Sequence, residues 1–88
     1  MGIKTTGYFR GIVRTKRPYL TDEVIASILK APRVRRVQSD GRVRLWSRVE
    51  TLGGRAVRVV RLPDGQTAHN AFLDRDPPDE LNATEKHP

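Results

Sequence analysis

VRRVQSDGRVRLWSRVETLGGRAVRVVRLPDGQTAHNAF, residues 34–72, decides how this chain folds. Apolar and basic residues alternate through it, and a period of two is the spacing of a half-buried strand. Ser39-Asp40-Gly41 separates VRRVQ from RVRLWSRVE, and Asp-Gly between alternating runs signals a hairpin. Gly53-Gly54 then leads into RAVRVVRL, and Asp64-Gly65 turns the chain into QTAHNAF. Three or four strands in succession predict an antiparallel meander. Val43, Leu45 and Val49 share one face of their strand, and Arg42, Arg44, Trp46 and Arg48 share the other.

Working outward, TDEVIASILKAP (residues 21–32) predicts a helix. Thr21 is placed to cap it, Asp22 and Glu23 suit the positive end of the helix dipole, and Pro32 stops it. Val24, Ile25, Ile28 and Leu29 make an apolar stripe that needs a sheet to lie on. Further upstream, GYFRGIVR (residues 7–14) alternates and predicts a short strand or extended arm. The fold expected is therefore α+β: a small single domain over residues 1–75, one main helix packed on a curved antiparallel β-meander. LDRDPPDELNATEKHP carries two adjacent prolines and little apolar content, so residues 76–88 are expected to be an acidic, disordered or loosely docked tail.

The chain has 88 residues and no cysteine, so neither disulfides nor a thiolate metal site can staple it. No apolar run approaches the ~18 residues needed to span a bilayer, and a cytoplasmic location is expected. The net charge of +7 is uneven: residues 1–62 carry +11 and residues 63–88 carry −4. Of the fifteen basic residues in the first part, Lys4, Lys16 and Lys30 are lysine and the rest arginine. Arginine presents a planar fork that grips phosphate and stacks on bases. The charge therefore points to a polyanion, nucleic acid first.

Three constellations carry candidate chemistry. Arg42, Arg44, Trp46 and Arg48 are spaced to stack a base and hold its phosphates, or else Trp46 packs under a loop with arginine stems over it. His69 shares a predicted face with Thr67 and Ala71, which is open if Ala68 and Phe72 point inward. It can act as acid or base, bind RNA, or be ordinary surface. RTKRPY supplies Arg14, Lys16, Arg17 and Tyr19, which could neutralise a pentacovalent phosphate, supply a general acid or base, or form a basic loop leading into a helix. Two histidines and scattered carboxylates form no metal-ligand set, and no cofactor motif is present, so none is expected.

RPYLT, DGRVRLW and DGQTAHNAFLDR, within residues 17–75, resemble small prokaryotic toxins of the RelE/BrnT-like superfamily. The resemblance implies a metal-independent ribonuclease that cuts mRNA by 2′-hydroxyl attack and is held inactive by an antitoxin protein. Arg17, Tyr19, Thr67, His69, Asn70 and Arg75 are the positions that match. On that reading Arg17, Arg58 and Arg61 neutralise phosphate, His69 moves the proton, and Trp46 with Arg44 holds RNA. A non-catalytic nucleic-acid-binding module using the Arg/Trp face is the alternative, and a protein-interaction subunit whose acidic tail folds over its own basic face is a third.

Overall fold

The alternating segments within residues 34–72 become strands where the pattern placed them. The computed structural model describes residues 2–85, with side chains through Asn82. Strands β1 (Lys4–Thr5), β2 (Val34–Val37), β3 (Val43–Val49), β4 (Arg55–Arg61) and β5 (Thr67–Leu73) form one sheet in the order β1-β5-β4-β3-β2. β2 to β5 pair antiparallel as a meander. β1 lies parallel to β5, Lys4 opposite Thr67 and Thr5 opposite Ala68, so the sheet is mixed rather than purely antiparallel. At the β2–β3 turn Gly41 has a φ of 89°, and a Cβ there would also crowd Pro63 at 3.2 Å.

Helix α1 (Asp22–Lys30) begins as its sequence dictates, with the Thr21 hydroxyl accepting from the Val24 amide at 3.3 Å. Ile25 and Ile28 are fully buried on the sheet, while Val24 and Leu29 flank them half-buried. Thr21→Ala is expected to cost about 1 kcal/mol, the usual value of a lost cap, read from the shift of a urea midpoint. Their partners in the main core are Val43, Leu45, Val57 and Val59, together with Phe9, Val13 and Leu20.

Three expectations are corrected. GYFRGIVR is helical, not extended: Phe9–Arg14 is a π-helical segment. It is flanked by α-type bonds from Arg10 N to Thr6 O (3.1 Å) and from Arg17 N to Val13 O (2.8 Å). Phe9 and Val13, both with no exposed surface, are four residues apart, a spacing that shares a face in a strand and in a helix alike. The Thr6 hydroxyl accepts from the Phe9 amide (3.1 Å) as a capping side chain does.

Second, β5 does not alternate throughout. Val60 pairs with Asn70 and Arg61 with Ala68, which leaves His69 as the extra residue of a β-bulge. The bulge resets the phase, so Ala68 and Ala71 both enter the core and Phe72 turns to the opposite face. Third, the acidic end is not disordered over residues 79–82. Asp79–Glu85 forms helix α2, and Leu81 is fully buried in a second small core with Val34, Trp46 and Ala56. His87, with its neighbours Lys86 and Pro88, lies outside the described residues. Among the described residues, no helix is long and apolar enough to cross a membrane.

Candidate functional site

The face of the sheet away from α1 carries a row built by register. Val34, Trp46, Arg58 and Phe72 stand opposite one another on β2, β3, β4 and β5. The Arg58 guanidinium lies 5.3 Å from the Trp46 ring centre and 4.8 Å from that of Phe72. Arg58 donates to Asp74 Oδ2 through Nε and Nη2, both at 3.2 Å, and the Trp46 indole N–H donates to the same oxygen at 2.8 Å. Burial pushes the Asp74 carboxyl up, but hydrogen bonds from Trp46, the Asp76 amide and Arg58 outweigh it and hold it below its ordinary value.

Beside this row opens a cleft of about 830 Å³. Arg17, from the end of the first helical segment, and Tyr19, from the turn before α1, line one part of it. Arg48 from β3, Arg55 from the start of β4 and Arg75 beyond β5 line the rest, with Phe72, Asp74 and Asn82. Arg17 Nη1 donates to the Ala71 carbonyl at 3.3 Å, and Arg48 Nη1 to the Gly54 carbonyl at 3.1 Å. The backbone acceptor of Arg17 aims its side chain without cancelling its charge. Among the described residues, no ion pair engages Arg17, Arg55 or Arg75. Asp74, the lining carboxylate, is already committed to Arg58 and Trp46. Four guanidinium groups line this one opening, with a half-exposed tyrosine at its edge; guanidinium groups can donate to anionic oxygens and a tyrosine ring can stack on a flat group.

The sequence-derived residues divide around this cleft. Arg17, Tyr19, Arg48 and Arg75 meet in it. Trp46 does not present an open stacking face: it is 3 % exposed, beneath α2. Arg58, expected to neutralise phosphate, is held between two rings and a carboxylate and does not line the cleft. Arg61 belongs to neither group, and its Nε is buried without a hydrogen-bond partner. Arg42 turns back to Asp40 in the hairpin, and Arg44 Nε donates to Gln38 at 3.2 Å. Arg14 pairs with Asp22 at 3.1 Å and lies over the Phe9 ring, while Lys16 stands exposed.

His69 lies outside the cleft lining. Its Nδ1 is 3.0 Å from Thr6 Oγ1, and its ring stacks on Tyr8 with centres 5.1 Å apart. The histidine on the bulge thus latches β5 to the start of the first helical segment. Thr67 is tied to Asp64, and the Asn70 side chain accepts from the Ala71 amide, so these matching positions serve the local backbone. Sequence reasoning did not single out Arg55, Asp74, Thr6 or Tyr8. Arg55 carried a signal, since it opens the strand after Gly53-Gly54 on the same chain edge as Arg48. The pairing of Thr6 with His69 bridges 63 positions and left no local trace.

Comparison of the chain with family models, with curated proteins and with solved structures gives no match. The likeness to RelE-like toxins therefore rests on the quoted sequence patterns alone.

Proposed function

We propose that this chain is a nucleic-acid-binding module that holds single-stranded RNA by its phosphates in the arginine-lined cleft. The observation that carries the reading is the convergence of Arg17, Arg48, Arg55 and Arg75 on one opening whose carboxylate, Asp74, is already neutralised from within. Tyr19, 43 % exposed at the cleft, gives a base a ring to stack on. Single strands suit it because their bases are unpaired and can turn onto an aromatic side chain while the backbone follows the charges.

The test is fluorescence anisotropy with a short labelled RNA, wild type beside the triple variant Arg17→Ala, Arg55→Ala, Arg75→Ala. Wild-type affinity falls linearly with the logarithm of salt concentration as counterions are released. The triple variant loses roughly 100-fold at low salt, from three lost charge-assisted contacts, and its salt slope flattens. Absence of wild-type binding at low salt, or equal binding by both chains, overturns the reading.

The ribonuclease reading keeps one structural support: Arg17 and Tyr19, two of its matching positions, both line the cleft. It also needs a proton donor and acceptor beside the phosphate cradle; Tyr19 stands there, whereas the His69 ring is engaged with Thr6 and Tyr8. Incubation with RNA in EDTA discriminates the two. Intact RNA is the outcome expected for a binding module; metal-free cleavage that disappears in His69→Ala restores the enzyme.

A further inference from the structure

Helix α2 is the acidic part of the chain folded back on the basic part. Leu81 is fully buried against Val34, Trp46 and Ala56. Glu80 forms an ion pair with Arg36, and Asn82 Oδ1 accepts from Arg48 Nη2. Asn82 is also part of the cleft wall, so α2 stands at the border between the open arginine cleft and the covered sheet face.

The contacts of α2 have the chemistry of a bound nucleotide. A carboxylate sits on Arg36, an amide oxygen on Arg48, and an apolar side chain against the indole of Trp46. RNA would put phosphate oxygens on the two arginines and a base on the ring. We propose that the surface under α2 is the second half of the RNA site, occupied here by the chain's own acidic helix, and that RNA entering the cleft displaces α2 to reach Trp46. This rests on the RNA-binding reading of the cleft and adds to it a covered extension and a built-in competitor.

Three features support displacement over permanent docking. α2 spans seven residues, too short to be a stable helix alone, so its structure depends on the surface beneath it. It is joined to β5 through Pro77 and Pro78, which keep the connection out of regular structure. The Arg36–Glu80 pair is exposed, with side chains 48 % and 62 % accessible, and such pairs hold weakly and are screened by salt. A ligand that competes for both arginines must also offset the burial of Leu81. A protein whose competent state is a fraction of the population binds with affinity reduced by that fraction, and freeing α2 removes the reduction.

Trp46 is the chain's single tryptophan, so its emission reports this event alone. The experiment uses the full chain with a short oligoadenylate, comparing wild type, Leu81→Ser and Glu80→Gln; neither substitution touches a cleft arginine. On saturation of the wild type, Trp46 emission is expected to shift or be quenched as the indole leaves its apolar cover for a base. Leu81→Ser is expected to show exposed-type emission before RNA is added and to bind about tenfold tighter. Glu80→Gln moves affinity in the same direction by a smaller factor. If circular dichroism shows Leu81→Ser unfolded, Glu80→Gln and the wild-type emission decide. Wild-type binding with unchanged Trp46 emission, and with variant affinities equal to wild type, overturns the displacement while leaving the cleft reading intact. No binding by any of the chains overturns both.

Discussion

Trp46→Ala is expected to lower stability by about 3–5 kcal/mol, the usual cost of removing a large buried aromatic side chain. Trp46 is 3 % exposed and joins Val34, Ala56 and Leu81 in the second core, so the deletion leaves a cavity between sheet and α2. It also takes the indole N–H from Asp74 and one of the two rings from Arg58. A domain of this size has roughly 4–13 kcal/mol of net stability, so the loss is a large share of the whole. The thermal midpoint should fall by about 15 °C or more, followed by far-ultraviolet circular dichroism. Trp46→Phe keeps an aromatic ring and loses the indole bond, so its midpoint should lie between wild type and Trp46→Ala. A fall of under about 1 kcal/mol for Trp46→Ala would mean that α2 and the sheet do not close over the ring.

Asp74→Ala is expected to be nearly as damaging, about 3 kcal/mol by urea unfolding. The Asp74 side chain is 8 % exposed and that of Arg58 is 26 % exposed, so the substitution leaves a half-buried guanidinium and a buried indole N–H without their acceptor. Asp74→Asn keeps an oxygen for the indole and should recover part of the loss. The same carboxylate sets a pH dependence. Its folded pKa lies below the ordinary 3.8, so the stabilisation is present above that value and is lost as pH falls through the folded value. Asp64, held at about 2 mainly by the Thr67 hydroxyl and then by the amides of Gln66 and Thr67, adds to the acid loss. Wild type should therefore lose stability with acid more steeply than Asp74→Ala, whose remaining dependence includes Asp64. Parallel acid profiles for the two chains would sink the assignment.

The meander was legible because its signals are local. Each Val-Arg alternation decides which residues face α1, and the Asp-Gly pairs mark two of the turns. α1 was legible for the same reason, from Thr21 to Pro32. What escaped depends on contacts between distant segments or on ambiguous spacing. Phe9 and Val13 fit a strand and a helix equally by position, and the burial of both beside Leu20 and Val59 belongs to the tertiary fold. The bulge at His69 is invisible in QTAHNAF, since nothing in those seven letters says which residue goes unpaired. Its partner Thr6 is at the other end of the chain's described part. α2 was missed because its sequence has one strong apolar residue, Leu81, and composition alone gives a single leucine little weight. The candidate site was half legible: arginine enrichment indicated its charge, and RPYL indicated Arg17 and Tyr19. Whether Trp46 stacks in the open or packs under cover stayed undecided in the sequence, because nothing local shows that an acidic helix lies on the second sheet face.

The parallel pairing of β1 with β5 has a consequence for how the chain is made. Lys4 and Thr5 leave the ribosome early, but the strand they join is synthesised after the rest of the meander. Until then that edge of the sheet does not exist, and the first helical segment lacks the Ala68 and Ala71 surface it shares in the main core. The hairpins can form as they emerge, while the stitching of first strand to last waits for translation to pass Leu73. Contacts of such long sequence separation close slowly. The β1 edge of the sheet is therefore completed only once β5 has been made.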